Sequence, residues 1–191
     1  MPAVSLPHRS LRHRPWPALA LLVAAGAAAL LSPGARAHGP TRQKVVESVT
    51  INAPAATVWA LVRPFDALQA WHPAVESSRA TQGNEPGSVR TVRLKGGGEL
   101  EETLETWDDA QMKYSYRLKA GGAALPVTNY SATLRVSADG ERCQVEWRGA
   151  FYRGYPNNDP PPDQNDEAAV RAVTGVYRAG LDQLRKQVEG R

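Results

Sequence analysis

Cysteine and histidine are nearly absent from this chain of 191 residues, which has one of the former and four of the latter. With Cys143 alone no intrachain disulfide can form, so stability must come from packing, and a lone thiol in an oxidising compartment is best kept buried. His8 and His13 lie in the first stretch of the chain, leaving His38 and His72 beyond it. Two histidines and one cysteine are too few for an ordinary metal cluster, so no metal and no cofactor are expected. A glycine-rich phosphate loop after a strand is missing, and so is a serine-nucleophile elbow.

An excess of one charge sign is missing too, once the chain is divided. The whole sequence carries 23 Lys+Arg against 19 Asp+Glu. Four of the arginines fall in residues 1–37, which hold no acid, so the remainder has 19 of each sign. The basic pI belongs to the first segment, and nothing in the rest suggests a nucleic-acid or anionic-membrane partner.

Long apolar runs are scarce, and the one present is short. Ala18–Leu31 is apolar over 14 residues, below the roughly 18 needed to span a bilayer. Arg9, Arg12 and Arg14 precede it, Ser32-Pro-Gly34 breaks it, and Ala35-Arg-Ala37 offers small residues at −3 and −1. This is the pattern of a cleavable secretion signal. Cleavage is expected after Ala37, giving a periplasmic or secreted protein with no membrane span. No cysteine follows the run, which argues against a lipoprotein, and the arginines are not twinned.

What remains is one domain, 44–190, behind a flexible lead-in, 38–43. Lys44 to Ile51 is rich in β-branched residues and reads as a strand. Asn52-Ala-Pro54 starts a short helix through Val58, Trp59, Leu61 and Val62, and a second helical piece runs from Asp66 to Ala70. The period then falls to two. Met112, Tyr114, Tyr116 and Leu118 form one alternating set, Tyr130, Ala132, Leu134 and Val136 a second, and Cys143, Val145, Trp147, Gly149 and Phe151 a third. These are antiparallel strands with one covered face. Weaker strands fit Val75–Thr81, Ser88–Leu94 and Leu100–Trp107. After Pro160-Pro-Pro162, with Asp163 or Asn165 as cap, Val170, Val173, Tyr177, Leu181, Leu184 and Val188 recur at helical spacing.

The fold class is therefore α+β: a helix-grip in which a curved antiparallel sheet of about seven strands wraps a long C-terminal helix, with two short helices after the first strand. Tyr114, Tyr116, Tyr130 and Trp147 point inward. Such rings either fill a solid core or wall a small-molecule pocket.

The element order resembles the SRPBCC superfamily of START-like, polyketide-cyclase-like helix-grip proteins. The resemblance rests on Ile51-Asn-Ala-Pro-Ala-Ala-Thr-Val-Trp59, Phe65-Asp66 and Trp71-His-Pro73. Ala124-Leu-Pro-Val-Thr-Asn-Tyr130 and Phe151-Tyr-Arg-Gly-Tyr-Pro-Asn-Asn-Asp-Pro160 are similar to its MxaD-like branch. The superfamily resemblance implies a hydrophobic-ligand cavity between sheet and helix. The branch implies a periplasmic protein with an accessory role in methanol oxidation.

Candidate residues follow. A ligand site is expected from Trp71, His72, Tyr114, Tyr116, Tyr130, Trp147, Tyr152 and Tyr177. His72 is the first choice if catalysis occurs, but no spacing supplies the carboxylate a general base would need, and a structural histidine is the plainer reading. Tyr152, Arg153, Tyr155, Asn157, Asn158 and Asp159 form a loop that is either a rigid connector or a rim that closes the cavity or docks a partner. His38 would become a new N-terminus able to chelate copper only with His72 as second ligand. Glu101, Glu102 and Glu105 read as a solvated strand face, and Cys143 as inert core.

Three functions stay open: a non-catalytic binder of a small apolar or amphipathic molecule, an accessory protein docking a periplasmic dehydrogenase or its electron acceptor, and a cyclase- or hydratase-type enzyme using His72. A cavity of several hundred Å³ favours the first or third, a filled core the second.

Overall fold

The computed structural model describes residues 39–120 and 124–190. The proposed secretion signal, 1–37, and His38 lie outside them. Among the described residues no helix is long and apolar enough to cross a membrane, and no three His, Cys, Asp or Glu side chains gather as a metal site.

Seven strands follow the alternations in the sequence: β1 (Gln43–Ile51), β2 (Val75–Ala80), β3 (Val89–Leu94), β4 (Glu99–Asp108), β5 (Lys113–Ala120), β6 (Val127–Asp139) and β7 (Arg142–Arg153). They form one antiparallel sheet in the order β1-β7-β6-β5-β4-β3-β2. β6 turns into β7 through Gly140-Glu141, where Gly140 takes φ 64°, a value that glycine adopts at no steric cost. Register shifts at Glu101/Glu102 and Leu104/Thr106 in β4, and at Thr128/Ser131 in β6, insert bulges that bend the sheet. Asn129 sits in the β6 bulge at φ 48°.

Between β1 and β2 the chain makes the helix Ala55–Val62 and a 3₁₀ turn, Leu68–Ala70. Pro54 occupies the N-cap and Arg63 ends the helix just before Pro64, which cannot continue it. Val58, Trp59 and Val62 are buried from this helix, and Leu68 from the turn.

The C-terminal helix, Asp166–Glu189, starts at Asn165, whose side chain accepts from the Ala168 N–H at 2.8 Å. Asp166 and Glu167 in its first turn complement the dipole. Its buried stripe is Ala169, Val173, Tyr177, Gly180, Leu181 and Leu184, while Val170 and Val188 at the two ends are only half-buried. Each buried Val or Leu of the stripe contributes roughly 1.5–3 kcal/mol relative to exposure. The stripe packs against β1 and β7. Arg178 pairs with Glu47 at 2.9 Å and Glu189 accepts from the Asn52 N–H at 2.9 Å, tying the helix to β1. The helix-grip expected from the element order is present. Met112 departs from the expected alternation: it sits before β5 in a turn, at φ 47°.

Candidate functional site

The inward positions of β5, β6 and β7 bring Tyr114, Tyr116, Tyr130 and Trp147 to one face, and Tyr177 descends on them from the helix stripe. Trp147 and Tyr177 stack at 4.5 Å with 12° between planes. A buried polar chain runs through these rings. Trp147 Nε1–H donates to the Tyr116 hydroxyl at 3.0 Å, Tyr116 and Tyr130 hydroxyls lie 3.4 Å apart, and Tyr130 and Tyr177 hydroxyls 2.7 Å apart. Burial pushes all three phenols above their ordinary pKa, so they remain protonated donors at neutral pH. Gly149 makes the arrangement possible, because a Cβ there would lie 2.2 Å from the Tyr177 hydroxyl.

His72 is held as a strut. Its Nε2 lies 3.0 Å from the Val176 carbonyl, which can only accept, so Nε2 carries the proton. The other nitrogen, Nδ1, then accepts from the Ala74 N–H at 3.3 Å. Burial lowers the His72 pKa; the Val176 bond opposes this, and the charges of Arg90 and Lys95 add to it. Its ring fits a notch in the helix at Gly180, where a Cβ would meet His72 Cδ2 at 2.6 Å and the rings of Trp147 and Trp71 at 3.0 and 3.1 Å. Trp71 Nε1 is the one buried side-chain polar atom without a hydrogen-bond partner among the described residues.

The sequence reading missed the most polar feature of the interior. Arg90 and Glu102 are directly opposite on β3 and β4 and both are buried, which corrects the reading of Glu102 as part of a solvated face. Arg90 donates through Nε and Nη2 to Glu102 Oε2 at 2.9 and 2.6 Å, and through Nη1 to the Phe65 carbonyl at 2.7 Å. Its guanidinium also lies 4.1 Å from the Phe65 ring centre and 5.1 Å from that of Tyr116. Burial opposes its charge, but Glu102 outweighs that and keeps it protonated. The missed signal is period two: Glu102 lies between Leu100 and Leu104, and Arg90 precedes Val92, on the covered face.

Several of these groups border a partly open cavity of about 90 Å³. Its walls are mainly apolar, from Leu68, Val75, Val92, Leu94, Leu100 and Leu125, with His72, Glu102, Tyr116, Tyr130 and Trp147 as the polar-capable lining. Both Arg90 bonds to Glu102 end on Oε2, and no other hydrogen bond to Glu102 forms among the described residues. Oε1 takes neither of these bonds. The cavity is far smaller than the several hundred Å³ of drug-sized sites, because the aromatic side chains fill most of the space between sheet and helix.

Of the expected site residues, His72, Tyr116, Tyr130 and Trp147 reach the cavity. Trp71 packs on Trp147 at 5.5 Å, Tyr177 stacks on the same ring, and Tyr114 lies between Trp59 and Phe65. None of these three lines the cavity. Tyr152 is a correction: it is the last outward residue of β7, between buried Phe151 and Arg153, and faces away from the interior. The Tyr152–Asp159 segment also contributes nothing to the cavity wall. Buried Arg153 organises it instead, donating to the Tyr155 and Asn157 carbonyls at 3.1 and 2.9 Å and to Asp166 at 3.1 Å. Asn157, Asn158 and Asp159 remain exposed.

Residues 42–189 match the family described as Polyketide cyclase / dehydrase and lipid transport. The chain belongs to this family. That membership agrees with the SRPBCC resemblance and with the helix-grip geometry. Abscisic acid receptor PYL6 of Arabidopsis thaliana is 29% identical over 156 residues, covering 79% of this chain and 71% of the receptor. Protein XoxI from Bacillus cereus has a similar structure, with TM-score 0.65 and 29% identity over 76% of this chain and 95% of XoxI. The Zhui aromatase/cyclase from Streptomyces shares the fold, with TM-score 0.65 and 20% identity over 78% of this chain and 94% of that enzyme. The XoxI likeness is consistent with the MxaD-like branch.

Proposed function

We propose that this family member is an exported, non-catalytic binding protein whose guest is a small, mainly apolar molecule carrying a hydrogen-bond donor. The observation that carries this is the mainly apolar cavity of about 90 Å³ with Glu102, whose Arg90 bonds both end on Oε2, in its lining. A carboxylate accepts, so an alcohol, phenol or amine group complements it. The volume suits a guest of a handful of heavy atoms. At the ceiling of about 1.5 kcal/mol per atom, roughly five atoms give micromolar affinity at best. The similarity to PYL6, an abscisic acid receptor, supports recognition as the use of this fold.

Turnover is disfavoured by His72. Both its ring nitrogens are engaged by backbone groups, and no carboxylate bonds it among the described residues. Export rests on the sequence of residues 1–37. Intact-mass measurement of protein recovered from the native host tests it, the expected mass being that of a chain beginning at His38; a mass retaining residues 1–37 refutes it.

Binding is tested by calorimetric titration with short-chain alcohols, phenol and small amines against the wild type and Glu102→Gln. Saturable heats at micromolar to millimolar guest that weaken in Glu102→Gln support the reading, and flat titrations for all three classes refute it.

A second reading is favoured by the largely filled interior and by the XoxI likeness: an accessory protein docking a periplasmic dehydrogenase or its electron acceptor. Flat titrations together with a stable complex with such a dehydrogenase would favour it.

A further inference from the structure

The sheet face turned away from the helix carries a trough of about 510 Å³. The register explains its shape. One cross-strand row runs Val46, Arg148, Thr133, Ser115, and the next runs Lys44, Ala150, Ser131, Arg117. The middle of both rows is small, so Ser115, Ser131, Thr133 and Ala150 form a low floor between long side chains at each side. On the β1–β7 side stand Lys44 and Arg148, both exposed and neither in an ion pair among the described residues. On the β4–β5 side Arg117 is already neutralised by Glu105 at 2.8 Å.

Two features set this trough apart from an ordinary solvated sheet. Residues 38–191 are balanced in charge, and Lys44 and Arg148 stand together at one side of the trough while the cation at the other side is ion-paired. Val46, opposite Arg148 and two residues along β1 from Lys44, is 59% exposed and is the one exposed large apolar side chain among the described residues. Beside the two cations it offers a small apolar contact with a charged border.

We propose that this outer trough docks an acidic, extended segment of a partner protein. Lys44 and Arg148 are diagonal cross-strand neighbours, about 7 Å apart at Cα. Alternate residues of an extended segment, about 6.6–6.8 Å apart on one face, bring two carboxylates to these cations at that spacing. An apolar side chain of the same segment then covers Val46. Two free cations are too few for a nucleic acid, whose binders typically neutralise many phosphates. The trough lies on the opposite face of the sheet from the cavity, so docking leaves the proposed guest site untouched.

The test uses the full protein and two synthetic peptides. One alternates Asp and Glu with single leucine and threonine residues, and the other replaces each acid by Asn or Gln. Fluorescence anisotropy at low salt is expected to give saturable binding of the acidic peptide only. Affinity should fall about ten-fold or more in K44E/R148E and in raised salt, and also fall in V46S. All of these residues are exposed, so melting temperatures should not change. Equal binding of the neutral peptide, unaltered affinity in K44E/R148E, or no binding of either peptide overturns the proposal. So does concentration-dependent self-association that K44E/R148E abolishes, which would make the occupant a second copy. Binding of phosphatidylglycerol vesicles without peptide binding would overturn it in favour of a lipid surface.

Discussion

Two guanidinium nitrogens of Arg90 converge on a single oxygen of Glu102, Oε2, inside the core, 2.9 and 2.6 Å away. Their side chains are 1% and 7% exposed, so the pair is shielded from solvent. Removing one partner leaves the other charge buried alone, at a cost of about 3–5 kcal/mol, whereas replacing both by apolar groups of similar volume is often neutral. Arg90→Met is therefore expected to destabilise the protein strongly in urea denaturation, and Arg90→Met with Glu102→Leu to recover most of the loss. A double variant as unstable as the single one would show that the Phe65 carbonyl contact, not the ion pair, dominates.

Little of this pair was legible in the sequence. Arg and Glu are surface residues by default, and their burial makes sense only when β3 and β4 are in register. Alternation did carry the aromatic lining, because inward positions of β5, β6 and β7 repeat every second residue. The same rule contradicts the placement of Tyr152, which shares its phase with outward Arg148 and Ala150. Cavity volume was not legible at all, since it depends on how far Trp147 and Tyr177 close on each other. The helix cap, by contrast, was narrowed by local chemistry to Asp163 or Asn165, and the structure places it at Asn165.

Gly149 and Tyr177 are coupled. A Cβ at Gly149 would clash with the Tyr177 hydroxyl at 2.2 Å. Gly149→Ala is expected to cost about 1–3 kcal/mol of overpacking. Tyr177→Phe removes the clashing oxygen, so in a double-mutant cycle Gly149→Ala should cost less in that background. Additive effects would contradict the contact.

His72 predicts a pH dependence. Its folded pKa is depressed, chiefly by burial, so the unfolded chain binds the proton more readily. Stability from this source is complete above about pH 6.5 and is lost as pH falls from there through the folded value. Nitrogen NMR should find the neutral ring carrying its proton on Nε2, and the ring less protonated at about pH 6.5 than a free imidazole. His72→Asn should flatten the stability profile just below about pH 6.5. A fully protonated ring at pH 6 would contradict the buried, carbonyl-bonded geometry.

Asp166 links the start of the C-terminal helix to the segment after β7. Burial alone would raise its pKa, but hydrogen bonds from Thr41 and Arg153, with the Arg153 charge, outweigh it and hold the carboxyl below its ordinary value. Its contribution is present above about pH 4 and disappears as pH falls through the folded pKa. Asp166→Asn should therefore lower the melting temperature at pH 7, with a difference that narrows as pH falls below about 4. A gap that stays constant down to the most acidic pH at which the protein remains folded would mean the carboxylate charge is not what matters.

Native mass spectrometry of gently purified protein from its own host shows whether the cavity beside Glu102 holds a small guest. A non-covalent mass increment is expected, and it should be absent from Leu100→Trp, which fills the cavity from β4. A bare mass in the wild type, under conditions where the protein remains folded and binds none of the added alcohols, phenol or amines, would contradict it.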